Sequence, residues 1–142
     1  MMQTQRFAEP LRSHGLKVTR RRLAVAGLLF DLGRALSAEQ VWNRLYPELG
    51  RLGLPSVYRI LEELTKADLL TRVELDDRIM RYAACCGSDS HHHHIVCTGC
   101  GRVDKVDCEF PDRAVSRIRR RTGFQVTAHR MQVEGLCRDC RG

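Results

Sequence analysis

Apolar residues in the first half of the chain recur at helical spacing, cut by clear start and stop signals. Phe7, Leu11 and His14 share one face of a short helix that Gly15 ends. Thr19 is placed to cap a second helix, in which Leu23, Ala26, Gly27 and Phe30 fall at helical spacing. Ser37-Ala38-Glu39-Gln40 reads as a capping box, with Val41, Trp42 and Leu45 as the buried face behind it. Pro55 and Ser56 open a fourth helix with Val57, Ile60, Leu61 and Leu64 on its inner side. The pattern then changes, and Thr71–Glu74 and Ile79–Ala83 read as two strands joined at Asp76-Asp77.

Helices packed so that the last presents a polar face, followed by a hairpin, predict a winged helix-turn-helix. The polar face of the fourth helix carries Ser56, Tyr58, Arg59, Glu62 and Glu63. Arginine can make two hydrogen bonds to guanine in the major groove, and tyrosine can reach phosphate or a thymine methyl. Lys17, Arg20, Arg21 and Arg22 form a cluster suited to phosphate or minor-groove contacts. A solvated helical bundle would carry the same charges without binding anything.

The second half differs in composition. All seven cysteines and five of the six histidines lie beyond residue 84. That shift predicts a first domain over residues 1–83, a hinge over 84–90 containing Gly87-Ser88-Asp89-Ser90, and a second domain over 91–142. Within the second domain a helix is expected from Asp112 to Thr122, ended by Gly123, and a strand from Gln125 to Glu134.

Cys97-x-x-Cys100 and Cys137-x-x-Cys140 place two thiolates on each of two turns. Four sulfurs make a closed tetrahedral site for structural zinc. A single pair would leave a redox disulfide open as a reading; two pairs favour the metal. His91-His92-His93-His94 precedes the first pair. In a strand, His91 and His93 face one way and His92 and His94 the other, which invites two further metal sites. Cys85 and Cys86 stand at the end of the hairpin, and thiolate beside imidazole suits zinc. Cys108 has no partner at ligand spacing and reads as a small apolar residue.

The remaining composition sets limits. At 142 residues with 43% hydrophobic and 29% charged positions, the chain is long enough to fold and too polar to be a membrane protein. No secretory leader is evident, so the cytoplasm is expected, where paired cysteines stay reduced. A formal charge of +7 favours a polyanionic partner. No histidine has Glu two residues on and neither Cys pair follows proline, so the zinc deaminase signature is absent. A closed four-thiolate site also argues against catalysis, and no enzyme is expected.

Gly15-Leu16-Lys17-Val18-Thr19-Arg20, Ser37-Ala38-Glu39-Gln40, Pro55-Ser56-Val57-Tyr58-Arg59-Ile60-Leu61, the His run before Cys97-x-x-Cys100-Gly101, and His129 ahead of Cys137-x-x-Cys140 occur in this order. Taken together they resemble the ferric uptake regulator (Fur) family over nearly the whole chain. The resemblance implies an α+β fold: an N-terminal winged helix-turn-helix domain followed by a small C-terminal α/β dimerisation domain with metal sites. It implies a metal-dependent repressor that binds double-stranded palindromic operator DNA as a homodimer. Structural zinc would fall on Cys97, Cys100, Cys137 and Cys140, and a dimerisation-domain site on His91, His93, Asp112 and His129. The family usually has Glu where this chain has Asp112. A regulatory hinge site would use His92 and His94 with Cys85 or Cys86. DNA contacts would carry over to Lys17, Tyr58 and Arg59, and Arg20 joins them from the basic cluster.

Where iron- and peroxide-sensing members place a histidine before the third helix, this chain has Ala35, and the wing strand ends in Ala83-Ala84-Cys85-Cys86 rather than a carboxylate. Exchanging His and carboxylate for thiol shifts the hinge site from hard to soft, which resembles the zinc uptake regulator branch. Zn2+ is therefore the expected structural and regulatory metal. An iron, manganese or peroxide sensor, with Fe2+ or Mn2+ as regulatory metal, is the alternative. The fourth hinge ligand is open among Glu74, Asp76, Asp77, Asp68, Asp104 and water.

Overall fold

The computed structural model describes residues 5–85 and 91–142. Cys86 and the Gly87–Ser90 segment assigned to the hinge lie outside the described residues. The chain runs α1 (Ala8–Ser13), α2 (Arg20–Leu32), β1 (Leu36–Ser37), α3 (Ala38–Leu49), α4 (Leu54–Lys66), β2 (Leu70–Glu74) and β3 (Met80–Ala84). It continues with β4 (His92–Cys97), β5 (Val103–Asp107), α5 (Asp112–Thr122) and β6 (Gln132–Gly135). The fold class is α+β.

Local signals set most of these boundaries. Thr19 Oγ1 accepts the Arg22 N–H at 3.2 Å and starts α2. The capping box forms both ways: Ser37 Oγ accepts from the Gln40 N–H at 3.2 Å, and the Ser37 N–H donates to Gln40 Oε1 at 2.9 Å. Pro55 sits in the first turn of α4, where its missing N–H costs nothing. Helix α5 begins and ends at the residues expected, Asp112 and Thr122.

The helices of the first half enclose one apolar core. Leu11, Val25, Leu29, Val41, Val57, Leu61 and Leu64 are fully buried in it. All four inner positions of α4 point inward as expected. In α2 the buried side is instead Val25, Ala26 and Leu29, while Phe30 faces outward beneath the Arg6 guanidinium, 3.8 Å from its ring. Residues 23–30 of that helix are apolar on every side. Spacing alone therefore does not select the buried stripe.

Strands β2 and β3 form the antiparallel wing, with Arg72 opposite Tyr82, and the short β1 joins β3 on its other side. The second sheet has the order β5-β4-β6, with β4 antiparallel to β5 and parallel to β6. Residues 125–131, expected in the last strand, are irregular; only Gln132–Gly135 pairs.

The two halves touch along a backbone seam. The Ala35 N–H donates to the Gly101 carbonyl at 2.7 Å, and the Val103 N–H donates to the Gly33 carbonyl at 3.0 Å. Arg34 and Arg102 bridge between these contacts. Ala35, Val73, Ala83 and Val96 close a small apolar cluster beside the seam. Gly101 has φ of 78°, and a Cβ there would lie 3.2 Å from the Ala35 carbonyl oxygen, so glycine suits both the turn and the approach. Among the described residues no helix is long and apolar enough to cross a membrane.

Candidate metal centres and nucleic-acid interface

Cys97 ends β4, Cys100 follows in the next turn, and Cys137 and Cys140 bracket the turn after β6. The parallel pairing of β4 with β6 puts Cys97 opposite Gly135 and so brings both turns to one end of the sheet. The four Sγ atoms lie within 4.8 Å of one another, with Cys100 and Cys137 3.8 Å apart. Two sulfurs on a tetrahedral zinc are about 3.8 Å apart, so the spacing fits. All four are free thiols. The Cys137 and Cys100 N–H groups stabilise a thiolate at Cys97 and hold it at about 6. Cys140 is pushed up to about 12 by hydrogen bonds to Cys137, Cys97 and Cys100. Proton sharing of this kind marks sulfurs crowded around one point, which a dication would relieve. At Gly99 a Cβ would come within 3.0 Å of Cys140 Sγ, so a larger residue would crowd the site.

The His run enters β4, and its side chains alternate as expected. On one face, His92 and His94 stack edge to face with ring centroids 4.9 Å apart, and Cys85 Sγ stands 3.7 Å from His92 Nε2. These three ligand atoms fall within 4.8 Å of one another. His94 Nε2 is buried with no hydrogen-bond partner among the described residues. An orphaned buried imidazole nitrogen costs free energy unless something ligates it. Burial, then the neighbouring His92, keeps His94 below the usual imidazole range and hence in the neutral form that binds metals.

Of the open fourth ligands, Asp77 is held by Arg81 at 2.6 Å and Asp104 by Arg102 at 3.1 Å. Asp68 and Glu74 line the same hollow as Cys85, His92 and His94. Asp68 lies two residues beyond the end of α4 and has φ of 57°, a conformation that favours glycine.

On the other face of β4, His91 and His93 converge with His129. The side chains whose donor atoms converge there are His91, His93, His129 and Cys108; Asp112 is not among them. Asp112 is exposed in the first turn of α5, whereas Cys108, read from sequence as a small apolar residue, stands among the histidines. Spacing along the chain gives no sign of this, because Cys108 reaches the histidines across strands.

The candidate reading face is the outer side of α4. Tyr58 and Arg59 are exposed on it, and Lys17 and Arg20 are exposed near the start of α2. Among the described residues Lys17, Arg20 and Arg59 form no ion pair. Arg22 differs from its neighbours: Nε and Nη2 donate to Glu63 Oε2 at 3.0 and 2.9 Å, and Nη1 donates to the Lys17 carbonyl. Arg22 and Glu63 thus join α2 to α4 rather than facing solvent. Glu62 accepts from Arg72 and, at 2.6 Å, from the Tyr82 hydroxyl, tying α4 to the wing. Those bonds lower Glu62, and burial with Glu62 nearby pushes Tyr82 up to about 12.

Comparison with known proteins agrees with this layout. The model of the ferric uptake regulator family matches residues 13–134. The chain is 32% identical to the ferric uptake regulation protein of Bacillus subtilis over 139 residues, covering 96% of this chain and 93% of that protein. The crystal structure of the Vibrio cholerae ferric uptake regulator is 27% identical, with a TM-score of 0.63 and coverage of 92% of this chain and 98% of that one. A zinc uptake regulator solved with zinc and DNA shares the fold at a TM-score of 0.75 and 22% identity, over 97% of this chain and 92% of that one.

Proposed function

The chain belongs to the ferric uptake regulator family, whose members are metal-responsive transcription regulators and not enzymes, and from that premise we propose that it is a zinc-responsive repressor acting as a homodimer on palindromic operator DNA. The observation that carries the zinc reading is the Cys85–His92–His94 group. Thiolate with two imidazoles is a softer donor set than the oxygen-rich sites that suit manganese. The names of the relatives favour iron instead, and the donor chemistry weighs against it.

The position of this group supports a regulatory role. Cys85 follows the wing strand β3, and its N–H donates to the Leu69 carbonyl just beyond α4 at 3.0 Å. His92 and His94 belong to the second sheet. A divalent ion held by all three supplies a crosslink between the reading head and the rest of the chain. Asp68, which lines the same hollow, would complete the set from just beyond α4. Stabilising one arrangement of the two domains, residues 1–83 and 91–142, over others requires roughly 3–5 kcal/mol of differential affinity. The exposed Ile118, Phe110, Phe124 and Leu136 give the second domain an apolar surface for a second copy.

A gel shift of the full chain on operator DNA over a zinc titration, repeated with Fe2+ and Mn2+, tests this reading. Zinc is expected to support binding at the lowest concentration, and Cys85→Ser to shift that dependence to higher zinc. Equal binding with and without zinc would remove the regulatory role, and a preference for Fe2+ would restore the iron reading.

A further inference from the structure

We propose that Cys108 is the fourth ligand of a third metal centre, with His91, His93 and His129, and that its thiolate makes this a zinc site of three nitrogens and one sulfur. Strand register builds the group. His92 pairs with Asp107 across the antiparallel β4–β5 edge, so His91 stands opposite Cys108 one step further on. The parallel β4–β6 ladder begins at His94 and Gln132, and the irregular segment just before it carries His129 to within 3.0 Å of His91 and 3.1 Å of His93. Residues directly opposite one another project from the same face of a sheet. His91 and Cys108 therefore share one face, His93 stands next along it, and His129 meets them there from the irregular segment.

Hydrogen bonding alone does not account for what these atoms do. His129 Nε2 lies 3.0 Å from His91 Nε2, 3.1 Å from His93 Nε2 and 3.3 Å from Cys108 Sγ. An imidazole nitrogen carries one proton or one in-plane lone pair, so it has one good partner, not three. Nitrogens bound to one tetrahedral zinc are about 3.3 Å apart, close to the separations seen. The residues fit a cation at the point they surround. Phe110 covers one side, its ring 4.8 Å from that of His129, and His93 is buried. The Met131 backbone hydrogen-bonds the His93 ring, as second-sphere groups do for metal-ligating histidines.

Replacing an expected carboxylate with a thiolate has a chemical consequence. The centre becomes selective for zinc over Fe2+ and Mn2+, and it no longer needs Asp112. It also joins the β5–α5 connection, through Cys108, to the irregular segment carrying His129.

Cobalt substitution of the full chain is the test, read without DNA so that its outcome is separate from the regulatory reading. Apo protein is loaded with Co2+ and the thiolate-to-cobalt absorption is compared among wild type, Cys108→Ser, Cys108→His and Asp112→Asn, with zinc per chain measured under a competing chelator. Cys108→Ser is expected to lose one sulfur's share of the absorption. Its zinc affinity at one site should fall by more than the roughly 10–100-fold that loss of a second-sphere partner costs. Cys108→His should keep the metal and lose the same absorption, which guards against a variant that merely misfolds. Asp112→Asn should match wild type. Undiminished absorption in both Cys108 variants, or loss of a metal in Asp112→Asn alone, overturns the assignment.

Discussion

The two halves of this molecule are held together by different means. The first encloses a continuous apolar core built from α1 to α4 and the wing. In residues 91–142 only His93, Val96 and Cys97 are buried, and two of those three belong to ligand groups. Helix α5 buries no residue at all. A segment of that size with so little apolar burial needs another source of folding free energy. Metal held by its clusters of candidate ligands would supply one, because binding to a site absent from the unfolded chain stabilises the folded state. The first half thus folds around an apolar core, whereas in the second the few buried positions belong mostly to clusters of candidate metal ligands.

That contrast can be broken in several ways. The largest effect is expected on removing all metal with a strong chelator. Structural zinc contributes on the order of 10 kcal/mol in small domains. Hydrogen exchange should therefore rise sharply over residues 91–142 while α2 and α4 stay protected; uniform loss across both halves would erase the distinction. Next, Leu61→Ala should cost about 2–5 kcal/mol of thermal or denaturant stability in the first half. Zinc content should not change, and a drop in bound zinc would show that the core and the metal sites are coupled. Arg59→Ala should weaken operator binding by about 1–3 kcal/mol in a gel shift, again at constant zinc. Unchanged affinity would remove α4 from the reading role. The smallest effect is expected for Ser37→Ala, about 1 kcal/mol of stability through loss of the α3 cap.

Much of this was legible along the chain, where the determinants are local. The capping box at Ser37, the four inner residues of α4, the limits of α5 and the two Cys pairs all act over a few positions. What escaped depends on residues far apart. Cys108 gains its neighbours only through the β4–β5 register, which no spacing records. Arg22 looks like its neighbours Arg20 and Arg21 until Glu63 arrives from another helix. The stripe of α2 that faces inward is chosen by packing, because the helix is apolar all round. His129 lies in a segment that looks like a strand but pairs with nothing until Gln132, so its placement rests on the histidines it meets.

The seam between Gly33–Ala35 and Gly101–Val103 bears on how the molecule can move. Main-chain bonds fixed at neighbouring points behave as a door hinge rather than a ball joint: they resist sliding and separation while leaving swing about a single line. Any opening or closing of the reading head that preserves those bonds is confined to that swing. The seam also abuts the turn carrying Cys97 and Cys100, so the pin of the hinge is seated in the four-sulfur knuckle.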